Sequence, residues 1–289
     1  MQEEKMANNY SYEELKKLHH CLYDILKEIK RVCNLLDIKF VTLGGSAIGV
    51  YFWNGIIPFD DDIDIGMKRT DYDRFLKEAP ALLGEKYFLQ WYKSDYHTPL
   101  FFAKIRKNDT LFMEESMQDI EMHQGIFIDI LPLDKIPNNP KARFLQRKLA
   151  NIVNDCFVAK EIWRYKWLGK CQTATPLNAS WMNCLFVKMI SKFLSKDTIY
   201  RILHSIQTFY NDKNTNYCNT IPAYVDYMSV EDIEKPKDVV FGDIQIWAPS
   251  HLEDYLHLHY PNLKKELTED EIARYSHRPL VLQFSDLNE

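Results

Sequence analysis

Glycine is scarce in this chain, nine in 289 residues, and five of the nine (Gly44, Gly45, Gly49, Gly55 and Gly66) fall within one short stretch. Gly44-Gly45-Ser46 separates a predicted short strand, Lys39 to Leu43, from a predicted brief helix. At such a junction the backbone can approach a phosphate and helix N–H groups point at the anion. Asp60-Asp61-Asp62-Ile63-Asp64-Ile65 follows. On a strand from Asp62 to Gly66, Asp62 and Asp64 share one face while Ile63 and Ile65 enter the core. Two neighbouring carboxylates raise each other's pKa unless a cation compensates. Hard divalent ions take oxygen ligands and bridge to substrate phosphates. The third carboxylate expected on a neighbouring strand is Asp129, a lone acid in the apolar run Gly125 to Ile130 that is costly to bury without a partner. By itself the Asp run reads as a solvated loop and the Gly-Gly-Ser turn as a weak motif. Their ordered combination points to Asp62, Asp64 and Asp129 as ligands of Mg²⁺ or Mn²⁺.

The elements that must position these residues are legible in part. Ser11 and Glu14 form a capping-box signature, and the spacing from Leu15 to Leu36 predicts one amphipathic helix to about Asp37. Thr70 or Asp71 is predicted to cap a helix that buries Tyr72, Phe75 and Leu76. Three β segments are expected between Tyr87 and Glu115, and a further strand from Ile126 to Leu131 ending at Pro132. Pro137-Asn138-Asn139-Pro140 breaks the chain. Helical periodicity then runs to about Tyr210, interrupted by a loop from Gln172 to Asn178. A hairpin turning at Gly242-Asp243 and a helix capped by Ser250 come last. The predicted fold is α/β (α+β), a mixed sheet flanked by helices with an α-helical insertion. Its expected parts are a catalytic core over 1–137, a basic insertion over 138–212 and a C-terminal segment over 213–289 that packs back on the core.

Hydrophobic residues at 46% and charged residues at 27% exclude a disordered or fibrous chain. No apolar run approaches the roughly 20 residues of a membrane-spanning helix, and the polar start Met1 to Tyr10 is unlike a secretory signal. A cytoplasmic protein is expected, with peripheral contact at the inner face of the membrane. Six dispersed cysteines without a C-x-x-C pair read as reduced and buried. The net charge of −5 hides a separation of sign: residues 140–201 hold twelve Lys and Arg against Asp155, Glu161 and Asp197. Within that stretch Lys160, Trp163, Arg164, Lys166 and Trp167 interleave cations with aromatics. Leu185, Phe186, Met189, Ile190, Phe193 and Leu194 form an apolar stripe beside Lys188 and Lys192. Such helices either pack against a core or rest on anionic lipid. His257 and His259, two apart on a helix, point about 200° from one another and do not share a zinc ion. His19, His20, His97, His123, His204 and His251 carry no signal.

Gly45-Ser46-Ala47-Ile48-Gly49 followed by Gly55-Ile56-Ile57-Pro58-Phe59-Asp60-Asp61-Asp62-Ile63-Asp64-Ile65 resembles the LicD family within the nucleotidyltransferase-fold superfamily. Lys104-Ile105-Arg106 with Thr110, and Ile128 to Asp134, follow the same course. The resemblance is strong over 39–136 and weak over 239–279, where Phe241 to Pro249, Tyr255-Leu256 and His277 match loosely. Phe52 stands where the family usually has Arg, and Tyr260-Pro261 where it has Tyr-Gly.

The resemblance implies an Mg²⁺-dependent transferase that moves a phospho-alcohol group such as phosphocholine from a CDP-linked donor to a glycan hydroxyl and releases CMP. The acceptor it implies is a lipopolysaccharide or teichoic-acid glycan, lipid-linked forms included, and no nucleic acid. Asp62 and Asp64 would hold metal, and Asp129 would complete a second site or take the acceptor's proton. Gly44, Gly45 and Ser46 would bind donor phosphate. Lys104 and Arg106, on one strand face, would stabilise the pyrophosphate, with His277 reaching in from the C-terminal segment. A nucleotidyltransferase that attaches a nucleoside monophosphate and releases pyrophosphate is the alternative.

Overall fold

The computed structural model describes residues 10–167, 187, 189–223, 226–275 and 278–285. The first helix, α1 (Tyr12–Leu35), is the one the apolar spacing predicts. Glu14 N–H donates to Ser11 Oγ at 3.2 Å and Ser11 N–H donates to the Glu14 carboxylate at 2.8 Å, so the capping box is complete. The helix closes two residues before Asp37, whose φ of 51° no helix can continue.

Behind it come β1 (Phe40–Thr42), α2 (Gly44–Trp53), β2 (Asp64–Lys68) and α3 (Arg69–Glu78), then β3 (Tyr87–Gln90), β4 (Ala103–Lys107), β5 (Leu111–Met113) and β6 (Phe127–Ile136). The central sheet has the order β1-β2-β6-β4-β3; β2 and β6 run parallel and the other neighbours antiparallel. It is a mixed sheet flanked by helices. Ile63, Ile65, Ile105, Ile128 and Ile130 are fully buried and alternate with the acids and Lys104, which leaves the polar set on the other face.

Several predicted boundaries move. The β2 ladder begins at Asp64, not Asp62, although the burial alternation from Asp62 to Ile65 is as expected. α3 begins at Arg69, with Lys68 in the cap position and no capping side chain, and the buried Arg69 guanidinium is locked onto the buried carboxylate of Asp134 (Nε–Oδ1 2.9 Å). β6 runs through Pro132 to Ile136. Asp129 N–H donates to Ile63 of the loop leading into β2, so the nitrogens of residues 130 and 132 face the opposite edge. There the β4 ladder stops at Ile130, and β7 (Tyr217–Asn219) takes over only at Asp134. The donor that proline lacks falls in that gap.

The strand β8 (Met228–Ser229) pairs with β7, and α6 (Val230–Glu234) follows. The hairpin of β9 (Lys237–Phe241) and β10 (Ile244–Ala248) turns at Gly242, φ 65°, as predicted. Ser250 does not cap α7 (Leu252–His259): its hydroxyl donates to Asp232, and His251 occupies the cap position. After α8 (Glu269–Tyr275), β11 (Val281–Gln283) pairs with β5 and returns the chain to the core.

The helices α4 (Pro140–Trp167) and α5 (Lys196–Thr208) lie antiparallel, since Gln146 reaches the carbonyl of Ile206 and Lys160 those of Ser191 and Leu194. Lys160 is thus engaged at helix-terminal carbonyls. Lys196 is wholly buried, with Nζ 3.0 Å from Glu161 Oε1 and 2.8 Å from the Thr98 carbonyl. Arg143 stacks over Tyr227. The side chains of Trp163, Arg164, Lys166 and Trp167, the loop 172–178, and Leu185, Phe186 and Lys188 lie outside the described residues. Cys21, Cys33, Cys156 and Cys218 are free and buried. Among the described residues no helix is long and apolar enough to cross a membrane.

Candidate active site

Parallel pairing of β2 with β6 sets Asp64 directly beside Asp129, and antiparallel pairing of β6 with β4 sets Asp129 directly beside Lys104. Three adjacent strands therefore present acid, acid and ammonium in one row. Lys104 Nζ lies 2.7 Å from Asp129 Oδ1 and 3.3 Å from the centre of the Phe127 ring. Like charges facing each other across strands repel, and this ammonium answers one of them. Burial pushes the Asp129 carboxyl up, and Lys104 pulls it back.

The loop before β2 adds a second group. Asp60, Asp61 and Asp62 each offer a carboxylate oxygen within 4.8 Å of the others. The Asp60 carboxyl stands well above the usual range because it is buried and faces Asp62, Asp61 and Asp64. Such a set fits a hard divalent cation, whose charge would offset the repulsion and whose oxygen preference matches every donor.

The backbone of this loop is fixed from α1. His19 Nε2 lies 2.7 Å from the Asp60 carbonyl, which can only accept, so the ring proton sits on Nε2; burial holds the imidazole below its usual pKa. Tyr10 donates its phenol proton to Asp61 Oδ2 at 2.9 Å, and Arg278 lies over the Tyr10 ring while pairing with Glu14. Asp64 N–H donates to Ser46 Oγ at 2.8 Å, so the Ser46 hydroxyl pins the start of β2. Gly45 has a separate role: a Cβ there would stand 2.8 Å from Asp60 Oδ2, so only glycine leaves that carboxylate its place against the first turn of α2.

These groups line a cavity of about 690 Å³. Gly44, Gly45, Asp60, Asp61, Asp62, Asp64, Lys104 and Asp129 all border it; Ser46 and Arg106 are not among its lining residues. The Arg106 guanidinium is buried behind the site on Gln90 Oε1 (2.5 Å) and the Gly125 carbonyl (2.7 Å), and burial lowers its pKa to about 10. His277 lies outside the described residues. Residues that motif spacing does not reveal complete the walls: Trp53, Phe59, Phe102, Phe127 and Glu114 from the core, His259 and Tyr260 from the C-terminal segment. Of these, Phe59 stood within the Gly55 to Ile65 motif and Tyr260 in the loose C-terminal match; the others carried no signal. His259 bonds the Tyr227 backbone and faces the cavity while His257 faces Glu253, as their spacing requires. Tyr255 accepts the Gly44 N–H at 3.4 Å, tying α7 to the start of α2.

A glycine-opened helix behind a short strand, followed by acids on paired central strands, is the arrangement of a nucleotidyltransferase-like fold. Residues 37–141 match the LicD/FKTN/FKRP nucleotidyltransferase domain family. The chain is similar to the lipopolysaccharide cholinephosphotransferase LicD of Haemophilus influenzae, 32% identical over 124 residues, which cover 42% of this chain and 44% of that relative. It is also similar to an uncharacterized protein of Rickettsia typhi, 36% identical over 59 residues, 20% of this chain and 19% of the relative. An uncharacterized protein of Rickettsia prowazekii is 38% identical over 50 residues, 17% and 19% of the two chains. The chain thus matches less than half the length of these relatives.

Proposed function

We propose that this protein transfers a phospho-alcohol group, phosphocholine or a close analogue, from a CDP-linked donor to a hydroxyl of a cell-surface glycan, with Mg²⁺ bound and CMP released. One observation carries the reading: within a segment of the LicD domain family, Asp64 and Asp129 meet side by side at a cavity that also holds the Asp60–Asp62 cluster. The similarity to a lipopolysaccharide cholinephosphotransferase supports the choice of donor and acceptor class.

In this reading Asp60, Asp61, Asp62 and Asp64 hold the metal. The ion supplies charge neutralisation of the pyrophosphate and of the departing oxygen. The first turn of α2 beyond Gly44, whose own N–H goes to Tyr255, receives a donor phosphate on its N–H groups. Lys104 offers a fixed cation to the oxygen charge that develops in transfer and keeps Asp129 ionised. Asp129, with its pKa raised by burial and held in check by Lys104, accepts the proton of the attacking hydroxyl. Arg106 acts from behind by holding Gln90 and the backbone at Gly125, and so the strand that carries Lys104.

The test is to incubate the protein with Mg²⁺, a panel of CDP-alcohols and candidate glycans, and to measure CMP release and glycan modification. CMP formed only with a glycan present supports the proposal. Pyrophosphate released from a nucleoside triphosphate, with no CDP-alcohol consumed, would move the chain to the nucleotidyltransferase reading.

A further inference from the structure

The helical layer carries a surface that its own packing does not explain. α4 and α5 already bury one face: Ala150 and Leu203 against Phe101, and Phe157 and Ile199 near Tyr92. Yet both helices are apolar on a second face as well. Leu145 and Leu149 of α4 and Ile202 and Ile206 of α5 line an open groove of about 760 Å³. Phe144, next in sequence to the lining residue Leu145, is 69% exposed, and Phe209, which lines the groove, is 60% exposed. The Gln146 amide bond to the Ile206 carbonyl ties the two helices together beneath the groove. A helix apolar on two sides buries the second against something else.

The charges around the groove indicate what that is. Arg201 lines it, Lys141 and Lys148 adjoin the lining residues Ala142 and Leu149 in sequence, and the Lys213 ammonium sits 3.8 Å from the centre of the Phe209 ring; all four are exposed. From residue 140 to 154 the chain holds Lys141, Arg143, Arg147 and Lys148 and no acid. The acids of the neighbouring stretch are Asp197 and Asp212, one at each end of α5. An aliphatic floor offers no hydrogen bonds to nucleotide bases, which argues against nucleic acid. Protruding aromatics ringed by ammonium and guanidinium groups match the boundary between acyl chains and anionic headgroups.

We propose that the groove between α4 and α5 is a docking surface for an anionic lipid bilayer: Phe144 and Phe209 enter the headgroup boundary, while Lys141, Lys148, Arg201 and Lys213 meet lipid phosphates. The surface is separate from the residues that Lys160 and Lys196 engage inside the layer. It does not depend on the transfer reaction, because no residue of the acidic cavity takes part.

The full chain, without donor or metal, is floated with vesicles of phosphatidylcholine and phosphatidylglycerol (70:30) and with pure phosphatidylcholine vesicles. Binding to the anionic vesicles, falling about tenfold or more on pure phosphatidylcholine or in 0.5 M salt, is expected. The variant Lys141→Glu/Lys148→Glu/Arg201→Glu lowers the partition coefficient by about tenfold or more, and Phe144→Ser/Phe209→Ser by about tenfold. These side chains are exposed, so circular dichroism and Tm stay near wild type in both variants. Failure of the wild type to bind anionic vesicles at low salt would overturn the proposal. So would unchanged binding by both variants. A wild-type dimer that Phe144→Ser/Phe209→Ser dissolves, with no vesicle binding, would assign the face to a second copy of the chain instead.

Discussion

The acidic cavity and the helical layer treat buried charge in opposite ways. In the layer, Lys196 and Glu161 are both removed from water and satisfied within the chain: the ammonium by Glu161 and the carbonyls of Tyr96 and Thr98, the carboxylate also by His97 at 2.9 Å. In the cavity, Asp60, Asp61, Asp62 and Asp64 crowd charge of one sign, and Lys104 answers Asp129. A buried pair of opposite sign holds architecture together, and losing one partner strands the other. Crowded like charge works against the fold unless a cation offsets it, and it is kept in place by glycine, by backbone pairing and by the bonds of His19 and Tyr10.

The sharpest way to break this comparison is to remove one charge from each region. Asp64→Asn is expected to lower CMP release by about a thousandfold or more, roughly 4 kcal/mol of transition-state stabilisation, with Tm equal to or above wild type in the absence of metal. Near-native turnover would remove Asp64 from the metal set. Lys196→Ala should do the reverse. It leaves Glu161 buried without its ammonium and costs about 3–5 kcal/mol of stability by urea denaturation. The paired change Lys196→Met/Glu161→Gln is expected to recover most of that loss, and its failure to do so would mean that the pair is not what binds the layer.

Gly45→Ala sharpens the contrast on a smaller scale. Its new Cβ would meet a carboxylate tip, not backbone, so the fold survives while Asp60 is displaced. Mn²⁺ affinity measured by calorimetry should fall about tenfold, near 1.4 kcal/mol, with a change in Tm of only a few degrees. Unaltered affinity would exclude Asp60 from the metal site. The smallest effect concerns pH. The Asp60 carboxyl is raised by burial and by Asp62, Asp61 and Asp64, so the folded state holds its proton more tightly than the unfolded chain does. Stability without metal therefore falls as pH rises from about 4 through that raised value. In the proposed reading Mg²⁺ would bind the ionised form and oppose this loss. The rise in Tm produced by Mg²⁺ should accordingly grow with pH, and a rise equal at every pH in a buffer series would contradict the assignment.

What the sequence by itself determined is local in character. The capping box and stripe of α1 follow from spacing within a few turns. The alternation of Asp62 and Asp64 with Ile63 and Ile65 needs only the twofold period of an extended chain. The opposed directions of His257 and His259 need only helical geometry. The Gly-Ser turn and the Asp run also carry the family resemblance, because they are contiguous. Only the tertiary structure decided what meets across distance. Asp64 finds Asp129 through strand pairing between segments 65 residues apart, and Lys104 joins them through a third strand. Ser46 and Arg106 turn inward to support the site because backbone groups of other elements need their bonds. Lys160 and Lys196, two among many cations in a basic stretch, are engaged by carbonyls and by Glu161, and no neighbour in sequence reveals this. Period and capping depend on adjacent residues; the partner of a charge depends on how the chain closes on itself.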